Sequence, residues 1–296
     1  MPSFLDHLHQ AHPEPLLLDG GLGTHLERRG QDLGGRLWSA RVLAEEPAEV
    51  RAAHADFFAA GAQIATTCSY QVTFEGCGPS TESLLSSSVR LAREAARGAE
   101  DATGQPRWVA ASVGPYGAGP GAGTEYDGAY GLGVADLIRW HRARVEILAA
   151  AGPDLLLAET IPSLPEVRAL ARLFREVNLP VALSLSVTGD RLCDGSDLRL
   201  AARAAAKIPS LCALGINCCS VAQARRALAI LAEHAIVPLL AYPNSGEEWD
   251  AGARRWKHGP GQSPVALIDA PVALLGGCCR VGPREIARLA AEVSAG

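Results

Sequence analysis

Short, continuously apolar runs alternate along this chain with longer stretches whose apolar residues recur every three or four positions. The short runs fall at 16–19, 63–67, 108–113, 154–159, 180–187, 211–217, 237–242 and 272–275. Unbroken apolar runs of this length are expected of strands covered on both faces, as in a parallel sheet. The longer stretches are amphipathic. Val167, Leu170, Phe174 and Val177 share one helical face, after Ser163-Leu-Pro-Glu166, which has the spacing of a capping box. Val221, Ala224, Leu228 and Leu231 share another face, with Ser220 placed to cap it. A last helix should start near Pro283 and bury Ile286, Leu289 and Val293.

Eight strands in regular alternation with helices imply a closed (β/α)₈ barrel, with an open doubly wound sheet as the alternative. The whole chain, 1–296, reads as one barrel domain. Two stretches interrupt the rhythm. The segment 243–271 is rich in Gly, Pro and charge, which predicts a long loop and a stunted seventh helix. The segment 115–133 is Gly-rich and carries Tyr116, Tyr126, Asp127 and Tyr130. Loops of that length commonly serve function, though an ordinary surface loop fits as well.

Charge and composition narrow the possible partners. A net charge of −5 disfavours nucleic acid or anionic lipid as the main partner. No run approaches the ~20 apolar residues that span a bilayer. The N-terminal segment has no basic stretch followed by an apolar one, so a cytoplasmic location is expected. In that reducing compartment, the chain's eight cysteines point to metal binding or catalysis rather than disulfides.

In a barrel of this kind the active site lies at the C-terminal ends of the strands. Those ends carry Asp19, Thr66 and Thr67, Ser112, Glu159, Ser184 and Ser186, Asn217 and Cys218, Tyr242 with Asn244, and Cys278 with Cys279. Cys218 follows the sixth strand, and Cys278 and Cys279 follow the eighth. Next-but-one strands of a ring bring their ends within reach of one ion. Three thiolates with one open position suit a catalytic zinc, since a structural zinc closes its shell with four protein ligands. Gly276-Gly277 is expected to let the backbone bend so that two adjacent cysteines face one metal. Cys219 is expected to point away, with the reverse assignment to Cys218 left open. A lone cysteine would read as a small buried hydrophobe. A Gly-Gly-Cys-Cys facing an Asn-Cys does not. Cys68, Cys77, Cys193 and Cys212 show no paired spacing and are read as packing or surface residues. His141 is read as packing.

At these residues the chain resembles the homocysteine S-methyltransferase family. The resemblance covers nearly the whole chain through Leu17-Leu-Asp-Gly-Gly-Leu-Gly-Thr24, Thr66-Thr-Cys-Ser-Tyr-Gln71, Ser112-Val-Gly-Pro-Tyr116, Ala158-Glu-Thr-Ile-Pro162, Gly215-Ile-Asn-Cys218, Tyr242-Pro-Asn-Ser-Gly246 and Gly276-Gly-Cys-Cys-Arg280. It implies that Zn²⁺ is held by Cys218, Cys278 and Cys279. It also implies that Asp19 and Glu159 face the ammonium of homocysteine and that Gly20 lets the backbone approach that amino acid. Thr67, Asn217 and Tyr242 complete the expected substrate-binding set. Glu159 could instead be a barrel-interior acid paired with an arginine. The branch using S-methylmethionine or S-adenosylmethionine matches best. Betaine-using relatives carry an aromatic residue where this chain has Thr160, together with a C-terminal extension, and folate-using relatives are large multidomain proteins. The expected reaction is methyl transfer from a sulfonium donor to homocysteine, giving methionine. The alternatives are a barrel lyase or aldolase using Asp19 and Glu159, and a zinc- or thiol-binding protein without methyl transfer. The oligomeric state is left open, with a monomer favoured, and either water or Asn217 could complete the resting metal shell.

Overall fold

The computed structural model describes residues 3–10, 14–34, 37–119, 124–250, 255–257 and 261–295. Eight parallel strands form the barrel: β1 (Leu16–Leu17), β2 (Ile64–Thr66), β3 (Trp108–Val113), β4 (Leu155–Ile161), β5 (Val181–Leu185), β6 (Leu211–Asn217), β7 (Leu239–Tyr242) and β8 (Leu274–Leu275). Their order around the ring is β1-β8-β7-β6-β5-β4-β3-β2. A parallel bridge between Leu18 and Ile64, together with a hydrogen bond from Asp19 N to Ile64 O at 3.0 Å, closes β2 onto β1. The barrel expected from the pattern is therefore the fold observed.

The strands are short and apolar because both of their faces are covered. All six residues of β3 and all seven of β4 are buried. The outer layer contains helices α1 (Pro47–Ala59), α2 (Thr81–Thr103), α3 (Val134–Ala150), α4 (Leu164–Leu173), α5 (Leu198–Ala205), α6 (Val221–Ala232) and α7 (Pro283–Val293). In α6, Val221, Ala224, Leu228 and Leu231 turn inward, and Ser220 forms a reciprocal capping box with Gln223. Such a cap is worth about 1 kcal/mol. In α7, Pro283 opens the first turn, where its missing N–H costs nothing, and Ile286, Leu289 and Val293 are buried.

Among the described residues between β7 and β8, the outer layer thins to a single 3₁₀ turn, Pro264–Leu267, which matches the stunted seventh helix. The same segment also holds a short antiparallel pairing of Glu248–Asp250 with Arg255–Lys257, which the loop expectation did not include. Residues 251–254 and 258–260 of that segment lie outside the described residues, as do 120–123 of the 115–133 loop.

The capping box expected at Ser163 is not formed. Ser163 starts α4, but its hydroxyl makes no cap bond and has no partner. Glu166 points instead into the protein, accepting from Tyr116 N at 2.7 Å and bonding His141 Nε2 at 2.8 Å. Tertiary partners have taken the side chain that the local motif would have used. Val177 falls outside α4, which gives way to a 3₁₀ turn at Phe174–Glu176. Among the described residues, no helix is long and apolar enough to cross a membrane.

Candidate active site

The C-terminal ends of β6, β7 and β8 build the centre of the site. The backbone turns sharply at Cys218, whose φ is 55°. A non-glycine residue in this region costs on the order of 1–2 kcal/mol and needs surroundings that enforce it. Those surroundings are hydrogen bonds. Cys218 N donates to Tyr242 O at 3.3 Å, and Asn244 N donates to Cys219 O at 2.9 Å. The same segment after β7 reaches the other turn: Cys278 N donates to Pro243 O at 2.8 Å and Ser245 N donates to Cys279 O at 3.1 Å. Residues 243–245 thus stitch the Cys218 turn to the Cys278–Cys279 turn.

This stitching brings three sulfurs together. Cys278 Sγ lies 3.1 Å and Cys279 Sγ 3.7 Å from Cys218 Sγ, and all three fall within 4.8 Å of one another. Thiolates bound at ~2.3 Å in a tetrahedron stand ~3.8 Å apart, so the cluster has nearly the dimensions of a zinc site. The next-but-one relation of β6 and β8 is the one expected, with β7 between them. Cys219 is buried in the apolar core, away from the cluster, and burial pushes its thiol far above the usual range. Within the bare cluster, hydrogen bonds from Cys278 and Cys279 hold the Cys218 thiol well below its ordinary range.

The two glycines before the cysteine pair act differently from expectation. Neither Gly276 nor Gly277 has a positive φ; that conformation falls at Arg280, with φ 69°. A Cβ at Gly276 would stand 2.6 Å from Leu18 Cβ, and one at Gly277 would stand 2.1 Å from Val281 Cγ1. They are small so that the turn can pack against β1 and against itself. Adjacent cysteines converge because they sit in a turn, closed by Val281 N donating to Cys278 O at 3.1 Å, and not on a strand where they would alternate.

Two buried carboxyls lie at the strand ends. Asp19 Oδ2 accepts from Thr66 N at 2.8 Å, and burial pushes its pKa up to about 8. Glu159 accepts from Ser112 Oγ and, at 3.2 Å, from the Tyr242 hydroxyl. Burial raises its pKa to about 7. These partners are neutral hydroxyls, so Glu159 is not the arginine-paired interior acid of the alternative reading. Next to it, Thr160 has φ 59°, a genuine outlier for a β-branched residue.

The remaining candidates are divided. Tyr242 is buried against Glu159. Thr67 Oγ1 pairs with Ser69 Oγ at 2.7 Å and accepts from Ser112 N at 3.0 Å, which commits it to the barrel's own network. The Asn217 amide bonds Thr160 and Ser184, so both of its ends are occupied. Gly20 is packed: a Cβ there would meet Val281 O at 2.2 Å. In the 115–133 loop, the rings of Tyr116 and Tyr130 pack at a tilt with centroids 5.1 Å apart, and Tyr116 also meets Trp140 edge to face. Tyr126 reaches across to Cys218 Sγ with its hydroxyl at 3.3 Å. The sequence marked this loop by its composition but gave no sign of that contact.

The family model described as homocysteine S-methyltransferase matches residues 16–293. The chain belongs to the homocysteine S-methyltransferase family. It is 41% identical to a homocysteine S-methyltransferase of Escherichia coli K12 over 294 residues, covering 94% of each chain. It is 37% identical to homocysteine S-methyltransferase YbgG of Bacillus subtilis 168, covering 93% of each. The metallated form of the homocysteine methyltransferase MmuM from E. coli superposes with a TM-score of 0.86 at 39% identity, over 97% of this chain and 99% of that one. The expected membership and barrel both hold, and the lyase or aldolase alternative falls away.

Proposed function

We propose that this homocysteine-methylating enzyme works with one zinc ion held by Cys218, Cys278 and Cys279, and takes its methyl group from a sulfonium donor, S-methylmethionine or S-adenosylmethionine. The observation that carries the reading is the convergence of three sulfurs from two turns, with Cys219 packed away. The donor set is all thiol, which suits a soft or borderline metal and leaves one position for a substrate. Bound there, zinc would keep the incoming thiol ionised at neutral pH, where a free thiol of pKa ~8.5 is mostly protonated.

The chain's own residues do the rest. Three cysteine thiolates make the centre anionic, which draws a sulfonium cation and repels an anionic competitor. Asp19 and Glu159 receive the ammonium of homocysteine, and Ser112 and Tyr242 hold Glu159 in place. Fixing the amino acid at one end and its sulfur at the other aligns the sulfur with the donor methyl, and such alignment can supply several kcal/mol. The leaving group is a neutral thioether, so no general acid is needed. A selenol acceptor is a second reading, prompted by 37% identity to a selenocysteine Se-methyltransferase of Brassica oleracea.

Metal analysis of the purified protein, with methionine formation from homocysteine and each of S-methylmethionine, S-adenosylmethionine and betaine, tests the reading. One zinc per chain and turnover with a sulfonium donor are expected. Full turnover after metal depletion, or turnover with betaine alone, would overturn it.

A further inference from the structure

The proposed chemistry contains a selectivity problem. In the reading above, the substrate sulfur shares its site with three cysteine sulfurs, and a sulfonium donor can alkylate any thiolate. Methyl transfer to Cys218 would form a Cys218 S–CH₃ bond and break the donor's S⁺–CH₃ bond. The bonding pair would leave with the donor as a neutral thioether, and a metal ligand would be lost. The enzyme needs a way to make its own sulfurs poorer nucleophiles than the substrate's.

Tyr126 is built to do this at one of them. It lies in the 3₁₀ turn Thr124–Tyr126, and its hydroxyl is 3.3 Å from Cys218 Sγ. The turn is held from below. The neighbouring turn Tyr116–Ala118 is tied by Tyr116 N to buried Glu166, and a Cβ at Gly117 would stand 2.5 Å from Glu125 N, so the two turns are in close contact. Once Cys218 is a thiolate, it has no proton to give and the tyrosine hydroxyl must be the donor. A hydrogen bond donated to an anionic sulfur withdraws charge from the lone pair that would attack, and bonds to charged groups are among the stronger ones.

We infer that Tyr126 is a specificity-determining residue: its hydrogen bond to Cys218 protects that ligand sulfur from alkylation and leaves the substrate sulfur as the nucleophile. The inference rests on the reading of the three cysteines as metal ligands.

Tyr126→Phe removes the hydroxyl and keeps the ring, and Tyr130→Phe in the same loop serves as the control. Zinc-loaded wild type and both variants are exposed to iodoacetamide without homocysteine, and Cys218, Cys278 and Cys279 are followed by peptide mass mapping. Cys218 in Tyr126→Phe should be alkylated about tenfold faster than in the wild type. Cys278 and Cys279 should be unchanged, and Tyr130→Phe should behave as wild type. With S-methylmethionine in place of iodoacetamide, Tyr126→Phe alone should accumulate a methyl group on the Cys218 peptide. Equal Cys218 rates in wild type and Tyr126→Phe overturn the inference. So does uniform acceleration at all three cysteines, which would make Tyr126 a cover and not a selective donor. The iodoacetamide arm does not depend on which donor the enzyme prefers, so an error there shows only in turnover. A wild type that holds no zinc overturns the metal reading and this inference with it.

Discussion

Asn217 grips Thr160 at both ends: its Oδ1 accepts from Thr160 N at 2.8 Å and its Nδ2 donates to Thr160 Oγ1 at 2.7 Å. Thr160 adjoins Glu159 and Asn217 adjoins Cys218, so one amide couples the carboxyl side of the site to the sulfur side. The same Oδ1 also accepts from Ser184 Oγ at 2.7 Å. With every polar atom engaged, Asn217 acts as a clamp and has nothing left to offer a metal.

Asn217→Ala should therefore lower stability by about 3 kcal/mol, since it leaves buried groups without partners and releases a strained threonine. Zinc stoichiometry should remain at one, while the KM for homocysteine rises as Glu159 loses its register. Thermal unfolding and metal analysis check this, and loss of zinc with unchanged stability would point to a ligand role instead.

Cys278→Ala should abolish tight zinc binding and turnover while circular dichroism stays that of a folded barrel. Cys219→Ala should keep its zinc and most of its activity, and lose about 1–2 kcal/mol for the small cavity left in the core. If Cys219→Ala loses zinc and Cys278→Ala does not, the ligand assignment is wrong.

The two buried carboxyls predict a pH dependence. Asp19 is raised from 3.8 to about 8 and Glu159 from 4.5 to about 7, chiefly by burial. The folded ligand-free protein thus holds protons that the unfolded chain has released. Its stability should fall as pH rises from about 4 towards 7–8. A ligand ammonium favours the ionised forms, so binding should strengthen across pH 7 to 8. Norleucine, which has no thiol, isolates this effect, and calorimetric titration at pH 6 and 8 should show tighter binding at pH 8. A flat profile would sink the assignment of both acids to the ammonium.

Gly277→Ala tests the packing role of the glycine pair. The new methyl would meet Val281 Cγ1 at 2.1 Å, so the turn bearing both cysteines must shift. Overpacking of this kind costs typically 1–3 kcal/mol. Zinc affinity should fall together with melting temperature, and Gly277→Ala combined with Val281→Gly, which also removes the Cβ at 2.4 Å, should recover part of the zinc affinity.

Much of this was legible in the pattern of the chain. The boundaries of β3 and β6 coincide with their apolar runs: β3 is buried throughout and β6 at every residue after Leu211, so the apolar pattern and the backbone pairing cover the same residues. The cysteine cluster was legible because strand order follows from alternation, which places the ends of β6 and β8 two positions apart. What escaped was set by contacts distant in sequence. Glu166 has the spacing of a capping residue, yet His141 and Tyr116 claim its carboxylate from 25 and 50 residues away. The clamp of Asn217 on Thr160 spans 57 residues and the reach of Tyr126 to Cys218 spans 92. No local signal carries such pairings. Gly276 and Gly277 were rightly seen as needed, but the need is space between neighbours and not freedom of the backbone.

The stitching of the Cys218 turn to the Cys278–Cys279 turn has a consequence for biosynthesis. A nascent chain that has emerged only as far as β7 owns one of the three sulfurs and lacks the turn that carries the other two. Of the three cluster sulfurs, such a chain offers a metal only that of Cys218. If the three cysteines hold the proposed zinc, the complete site forms only once the ring has closed, and a chain stalled before Gly277 should bind zinc far more weakly than the finished enzyme.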